Sequence, residues 1–121
     1  MSRTIAILLT AALGLGATAA NAHPRLQTSN PAAGATLKAG PKEIRLNFTE
    51  ELVPLFTGLE LKNASGKFIP SGKAALIPGD SKKIVVPIGA PLTAGTYNVV
   101  WHAVSVDTHR VNGSYSFKVT R

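Results

Sequence analysis

Gly, Pro and Asn interrupt this chain so often that no long helix fits, and the runs between them alternate apolar and polar residues. Ile44-Arg45-Leu46-Asn47-Phe48, Leu59-Glu60-Leu61, Thr96 through Trp101 and Gly113 through Val119 all show this spacing. A period of two marks a strand with one buried face, because successive side chains leave an extended backbone on opposite sides. In the last run Tyr115, Phe117 and Val119 share one face. Lys83-Ile84-Val85-Val86-Pro87 is a β-branched strand whose proline belongs at its end or at a sheet edge, where no ladder N–H is needed. Arg25 to Ser29 is a first strand, closed by an Asn30-Pro31 turn, and Lys67 to Pro70 is a further short candidate. No window after residue 22 sustains a 3.6-residue apolar period. Several short strands at this spacing predict an all-β domain, an antiparallel sandwich or barrel of about seven strands.

Residues 1–22 stand apart from that pattern. Arg3 supplies a positive start, Ile5 to Leu15 is apolar and uncharged, and Ala20-Asn21-Ala22 fits the small-x-small rule for a secretory signal peptide. The apolar run falls short of the about 20 residues needed to span a bilayer. Cleavage after Ala22 is therefore expected to leave one domain, residues 23–121, that does not span the membrane. A domain of this size supports a core without staples, which fits the absence of cysteine in an exported chain. With Arg3 removed the net charge falls from +7 to +6. Its basic residues are spread singly except for Lys82-Lys83 and are not interleaved with aromatics, so a nucleic-acid partner is not expected.

The chemistry concentrates at two places. Trp101 opens a stretch that ends in Asp107-Thr108-His109. If the strand persists that far, Asp107 and His109 point the same way and offer an oxygen and an imidazole nitrogen to one point. Cleavage would also make His23 the N-terminal residue, so that its α-amine and imidazole can chelate a metal together. Such an amine has a reference pKa of about 7.7–8, low enough for a metal to displace its proton near neutral pH. Three nitrogens and one carboxylate oxygen suit Cu(II) in tetragonal coordination, and Zn(II) could use the same donors tetrahedrally. The only methionine is Met1 and there is no cysteine, which excludes a thiolate or thioether Cu(I) site in the cleaved chain.

A signal peptide ending just before His23-Pro24 and a strand leading into Phe48-Thr49-Glu50 resemble the CopC-type periplasmic copper-resistance proteins. So does the run Leu92-x-x-Gly95-x-Tyr97-x-Val99-x-Trp101, continuing through Ser105-x-Asp107-x-His109 to Gly113. The resemblance implies a small Greek-key β-sandwich and a Cu(II) site made by the amine and imidazole of His23 with Asp107 and His109. It places Glu50 near the copper, where its carboxylate could hold a ligand by hydrogen bonding. It further implies a monomer in the periplasm that sequesters copper or passes it to an inner-membrane transporter of the CopD type. Some members carry a methionine-rich Cu(I) loop; this chain has none and resembles the type that binds Cu(II) alone. His102 lies outside the motif.

Two other readings compete. A terminal histidine chelate with a second histidine also describes copper-dependent polysaccharide monooxygenases, but those need an open coordination position and a broad aromatic face. Here a carboxylate fills the fourth position, and the six Phe and Tyr residues are expected mostly inside, so an enzyme is not expected. In a metal-free immunoglobulin-like interaction module, Asp107 and His109 would only orient a loop by a hydrogen bond.

Overall fold

In a computed structural model of the protein, residues 23–120 are described; the expected signal segment 1–22 lies outside them. Among the described residues the chain forms nine strands and one 3-10 turn, Pro54–Phe56. No helix among them is long and apolar enough to cross a membrane. The strands are β1 (Leu26–Asn30), β2 (Thr36–Leu37), β3 (Glu43–Phe48), β4 (Gly58–Asn63), β5 (Phe68–Ile69), β6 (Ala75–Ile77), β7 (Asp80–Pro87), β8 (Gly95–Val104) and β9 (Arg110–Val119).

They assemble into two sheets, ordered β1-β3-β7-β6 and β2-β9-β8-β4-β5. The chain changes sheet between β1 and β2, β2 and β3, β3 and β4, β5 and β6, and β7 and β8, while β4–β5, β6–β7 and β8–β9 are neighbours within one sheet. All pairs are antiparallel except β2 with β9, which run parallel. The count exceeds about seven because β2, β5 and β6 are only two or three residues long.

Alternation explains which residues meet between the sheets. Ile44, Leu46 and Phe48 of β3 and Ile84 and Val86 of β7 face Leu59, Leu61, Tyr97, Val99, Trp101, Ala103, Phe117 and Val119 in one buried cluster. Removing one large member, such as Phe48, would cost about 3–5 kcal/mol in lost transfer energy and cavity. Phe48 and Trp101 meet edge to face across the sheets, with ring centroids 5.3 Å apart and planes at 71°. Trp101 also lies against Gly113, its partner in the β8–β9 register. A Cβ at that glycine would collide with the indole. The glycine is thus required by close approach of a ring to backbone, not by an unusual φ.

Candidate metal centre

The strand that carries Trp101 stops before the Asp-x-His pair. β8 ends at Val104, and Ser105 makes only an isolated bridge to Leu52. Asp107 and His109 are therefore not alternate residues of one strand, as the sequence pattern suggested, because the backbone turns back on itself. The Ser105 N–H donates to the His109 carbonyl at 3.0 Å, and the Thr108 N–H donates to the Ser105 carbonyl at 2.9 Å. Closing this loop puts Thr108 at φ 73°, a left-handed conformation that costs a residue with a Cβ roughly 1–2 kcal/mol. The Thr108 hydroxyl offsets part of that by donating to the Asp107 carbonyl at 2.6 Å. The turn still brings the two side chains together, with Asp107 Oδ1 3.2 Å from His109 Nδ1.

The surroundings of the pair hold the carboxylate in its charged form. Ser105 is 1% exposed, and its hydroxyl donates to Asp107 Oδ1. That bond first, and His109 second, hold the Asp107 carboxyl below the usual carboxylate range. His109 Nδ1 is buried and has no hydrogen-bond partner among the described residues. Its 3.2 Å approach to the carboxylate is close but not aligned as a hydrogen bond. Buried polar nitrogens are nearly always paired. An unpaired one beside an ionised carboxylate is a donor arrangement that a cation would complete.

His23 is brought in by the residues after it. Pro24 is fully buried. Arg25 is held from both sides by Thr49: its N–H donates to Thr49 Oγ1 at 2.9 Å, and the Thr49 N–H donates to the Arg25 carbonyl at 2.9 Å. A register irregularity between Leu26 and Thr28 gives β1 an extra residue against β3 at this point, which bends a strand and sharpens its twist. The same β3 exit loop binds the Asp-His turn, since the Val106 N–H donates to the Glu51 carbonyl at 2.9 Å. Three segments far apart in sequence are thus tied at one end of the sandwich, and the rings of His23 and His109 meet edge-on with centroids 4.8 Å apart at 87°.

The structure therefore brings His23, Asp107 and His109 to one place. It does not bring three His, Cys, Asp or Glu side chains into a metal-holding cluster among the described residues. The His23 ring meets the His109 ring edge-on. The remaining donor available at that position is the His23 main-chain nitrogen, an amide while residue 22 is attached and an amine once it is freed. Glu50 is half-buried and adjacent to Thr49, but forms no side-chain hydrogen bond or ion pair among the described residues. His102 stands outside the site, exposed on the outer face of β8 and close to Gly58. Of the six Phe and Tyr residues, Phe48, Tyr97 and Phe117 are buried and Tyr115 packs against the core, while Phe56 and Phe68 are exposed. Sequence reasoning gave Ser105 and Thr108 no role. The signal for Ser105 is a small hydroxyl residue where the alternation of β8 turns inward, two before the aspartate.

Comparison with known proteins bears on the same region. A family model described as the CopC domain matches residues 26–120. The chain is 42% identical over 124 residues to Copper resistance protein C of Pseudomonas syringae pv. tomato, covering 98% of each. The crystal structure of PcoC, a methionine-rich copper resistance protein from Escherichia coli, superimposes with a TM-score of 0.72 at 40% identity, covering 82% of this chain and all of that one. The Copper transport protein CutJ of Bacillus subtilis is 26% identical over 98 residues, a match spanning 81% of this chain and 18% of CutJ.

Proposed function

Because the chain belongs to the CopC family, we propose that it is an exported, periplasmic Cu(II)-binding protein that holds one copper ion at His23, Asp107 and His109 and passes it to a copper transporter in the membrane. The observation that carries this reading is the unpaired, buried Nδ1 of His109 beside the ionised Asp107, with the His23 ring against it. Freed by cleavage after Ala22, the His23 amine and imidazole would add two nitrogens to the nitrogen and oxygen of the loop. That donor set favours Cu(II) by geometry and hardness. Sulfur chemistry points the same way: PcoC is described as methionine-rich, whereas this chain has no cysteine and no methionine beyond Met1.

The arrangement divides the work between holding and release. Ser105 and the closed loop fix Asp107 and His109, so little order is lost when the ion binds. His23 and Asp107 are exposed while His109 is partly covered. An incoming ligand can therefore displace the outer donors one at a time without opening the sandwich. Delivery to a transporter is supported by the Bacillus subtilis relative, in which the matched region is a fraction of one longer chain named for copper transport.

Titration of the cleaved protein with Cu(II), followed by Trp101 fluorescence and by EPR, tests the reading. One equivalent should bind with a nitrogen-rich tetragonal spectrum, and Asp107→Ala and His109→Ala should each weaken binding by at least about tenfold, or 1.4 kcal/mol. Parent-like affinity in both variants would remove the site.

A further inference from the structure

Four large apolar side chains among the described residues stand out in solvent: Leu55 is 82% exposed, Phe56 54%, Phe68 58% and Val106 58%. Phe68 lies at the far end of its sheet beside Leu61–Lys62, with the Lys62 Nζ 4.9 Å from its ring centroid, a cation–π contact that accounts for it. The other three gather at the metal end. Leu55 and Phe56 lie on the 3-10 turn, and the Val53 N–H donates to the Val104 carbonyl at 2.9 Å while the Val104 N–H donates to Thr57 Oγ1 at 3.1 Å. Val106 sits within the ligand loop itself, directly before Asp107. Because residues 51–53 pair with 104–106 and Ser105 points inward, Val104 and Val106 point outward together.

Leu55, Phe56 and Val104 wall an open groove of about 550 Å³, whose other lining includes Arg110, Asn112 and His102. No carboxylate lines it, and Arg110 forms no ion pair among the described residues. Apolar walls with one uncompensated cation complement a segment that carries an apolar side chain next to a carboxylate. Its position decides whose segment: Val104 and Arg110, which line the groove, are the residues that flank the 105–109 loop, so a partner seated there lies beside the Asp107 loop.

We propose that this groove is the docking face for the copper acceptor, an extracytoplasmic segment of a membrane copper transporter that places an aliphatic or aromatic side chain between Leu55 and Phe56 and a carboxylate on Arg110. Naming the partner as the acceptor rests on the copper-carrier reading above; the groove itself does not. Docking brings the acceptor's own ligands to the exposed side of the site, where Asp107 and His23 are the donors first displaced.

The test places a photo-crosslinking amino acid at position 55 of the full exported chain in cells, with position 68 as the control of equal chemistry at the other end. Position 55 is expected to form an adduct with a membrane copper transporter, identified by mass spectrometry, and position 68 is not. Phe56→Ser and Arg110→Glu should each reduce that adduct by about tenfold while keeping the parent's Cu(II) affinity. An adduct between two copies of the chain, an adduct with lipid, no adduct, or equal yield from position 68 overturns the assignment. A parent chain that binds no Cu(II) but still crosslinks to the transporter would remove the metal reading and leave the docking face intact.

Discussion

At the scale of single residues, Ser105 has the most influence for its size. Its hydroxyl is buried, cannot reach water, and is committed to Asp107 Oδ1. Hydrogen bonds to the charged form of a carboxyl stabilise that form, which lowers its pKa. A lowered folded-state pKa contributes stability that is present above the unfolded value and is lost as the pH falls through the folded value, below the ordinary carboxylate range. Ser105→Ala should therefore move the Asp107 titration upward, toward the ordinary value, when the carboxyl is followed by NMR in metal-free protein. The same variant should lose about tenfold or more in Cu(II) affinity, the scale of losing a hydrogen bond that orients a metal ligand. An unmoved titration would show that the hydroxyl does not set the charge of the carboxylate. His109 makes the complementary point. Its Nδ1 is the one imidazole nitrogen in the loop that the fold buries and leaves unpaired, which only a structure can reveal.

At the scale of elements, the sandwich depends on two long strands whose inner faces carry bulky rings. β8 and β9 pair over their full lengths, from Gly95 with Val119 to Val104 with Arg110, and the indole of Trp101 fills the space that Gly113 leaves open. Gly113→Ala should cost about 1–3 kcal/mol, the usual penalty for overfilling a packed site. Denaturant melting and a shift in Trp101 emission would report it; an unchanged midpoint would mean that the indole moves aside freely. The long strands were legible because alternation is strict wherever one face meets the core, as in Ile44 to Phe48 and Tyr115 to Val119. β2 and β6 were not, since two or three residues cannot display a period and their pairing is set by neighbours distant in sequence. The Asp-x-His pair was legible for a different reason than the one its spacing suggests. Alternation along a strand would place the two side chains on one side, but the chain turns after Ser105 and a left-handed Thr108 does so instead. The exposure of Leu55 and Phe56 was not legible at all: a short apolar run reads as core until the turn that lifts it outward is seen.

At the scale of the whole molecule, the sandwich acts as a clamp that holds residues 23–25 against its last hairpin. Buried Pro24, the two Arg25–Thr49 hydrogen bonds and the irregularity in β1 fix the entry of the chain, so His23 arrives beside His109 across most of the sequence. The described fold supplies Asp107, His109 and a neighbouring imidazole. The fourth donor of the proposed site, the His23 amine, exists only if the peptide bond after Ala22 is cut. On this account proteolysis completes the site, and copper binding is confined to the compartment in which cleavage occurs. The decisive comparison is the Cu(II) affinity and EPR spectrum of protein that begins at His23 against the same protein with one alanine placed before it. The account predicts that the extension weakens binding by at least about a hundredfold, or 2.7 kcal/mol, and changes the EPR parameters as one nitrogen donor is lost. Equal affinity and an identical spectrum would contradict it, and would show that the amine of His23 is not a ligand.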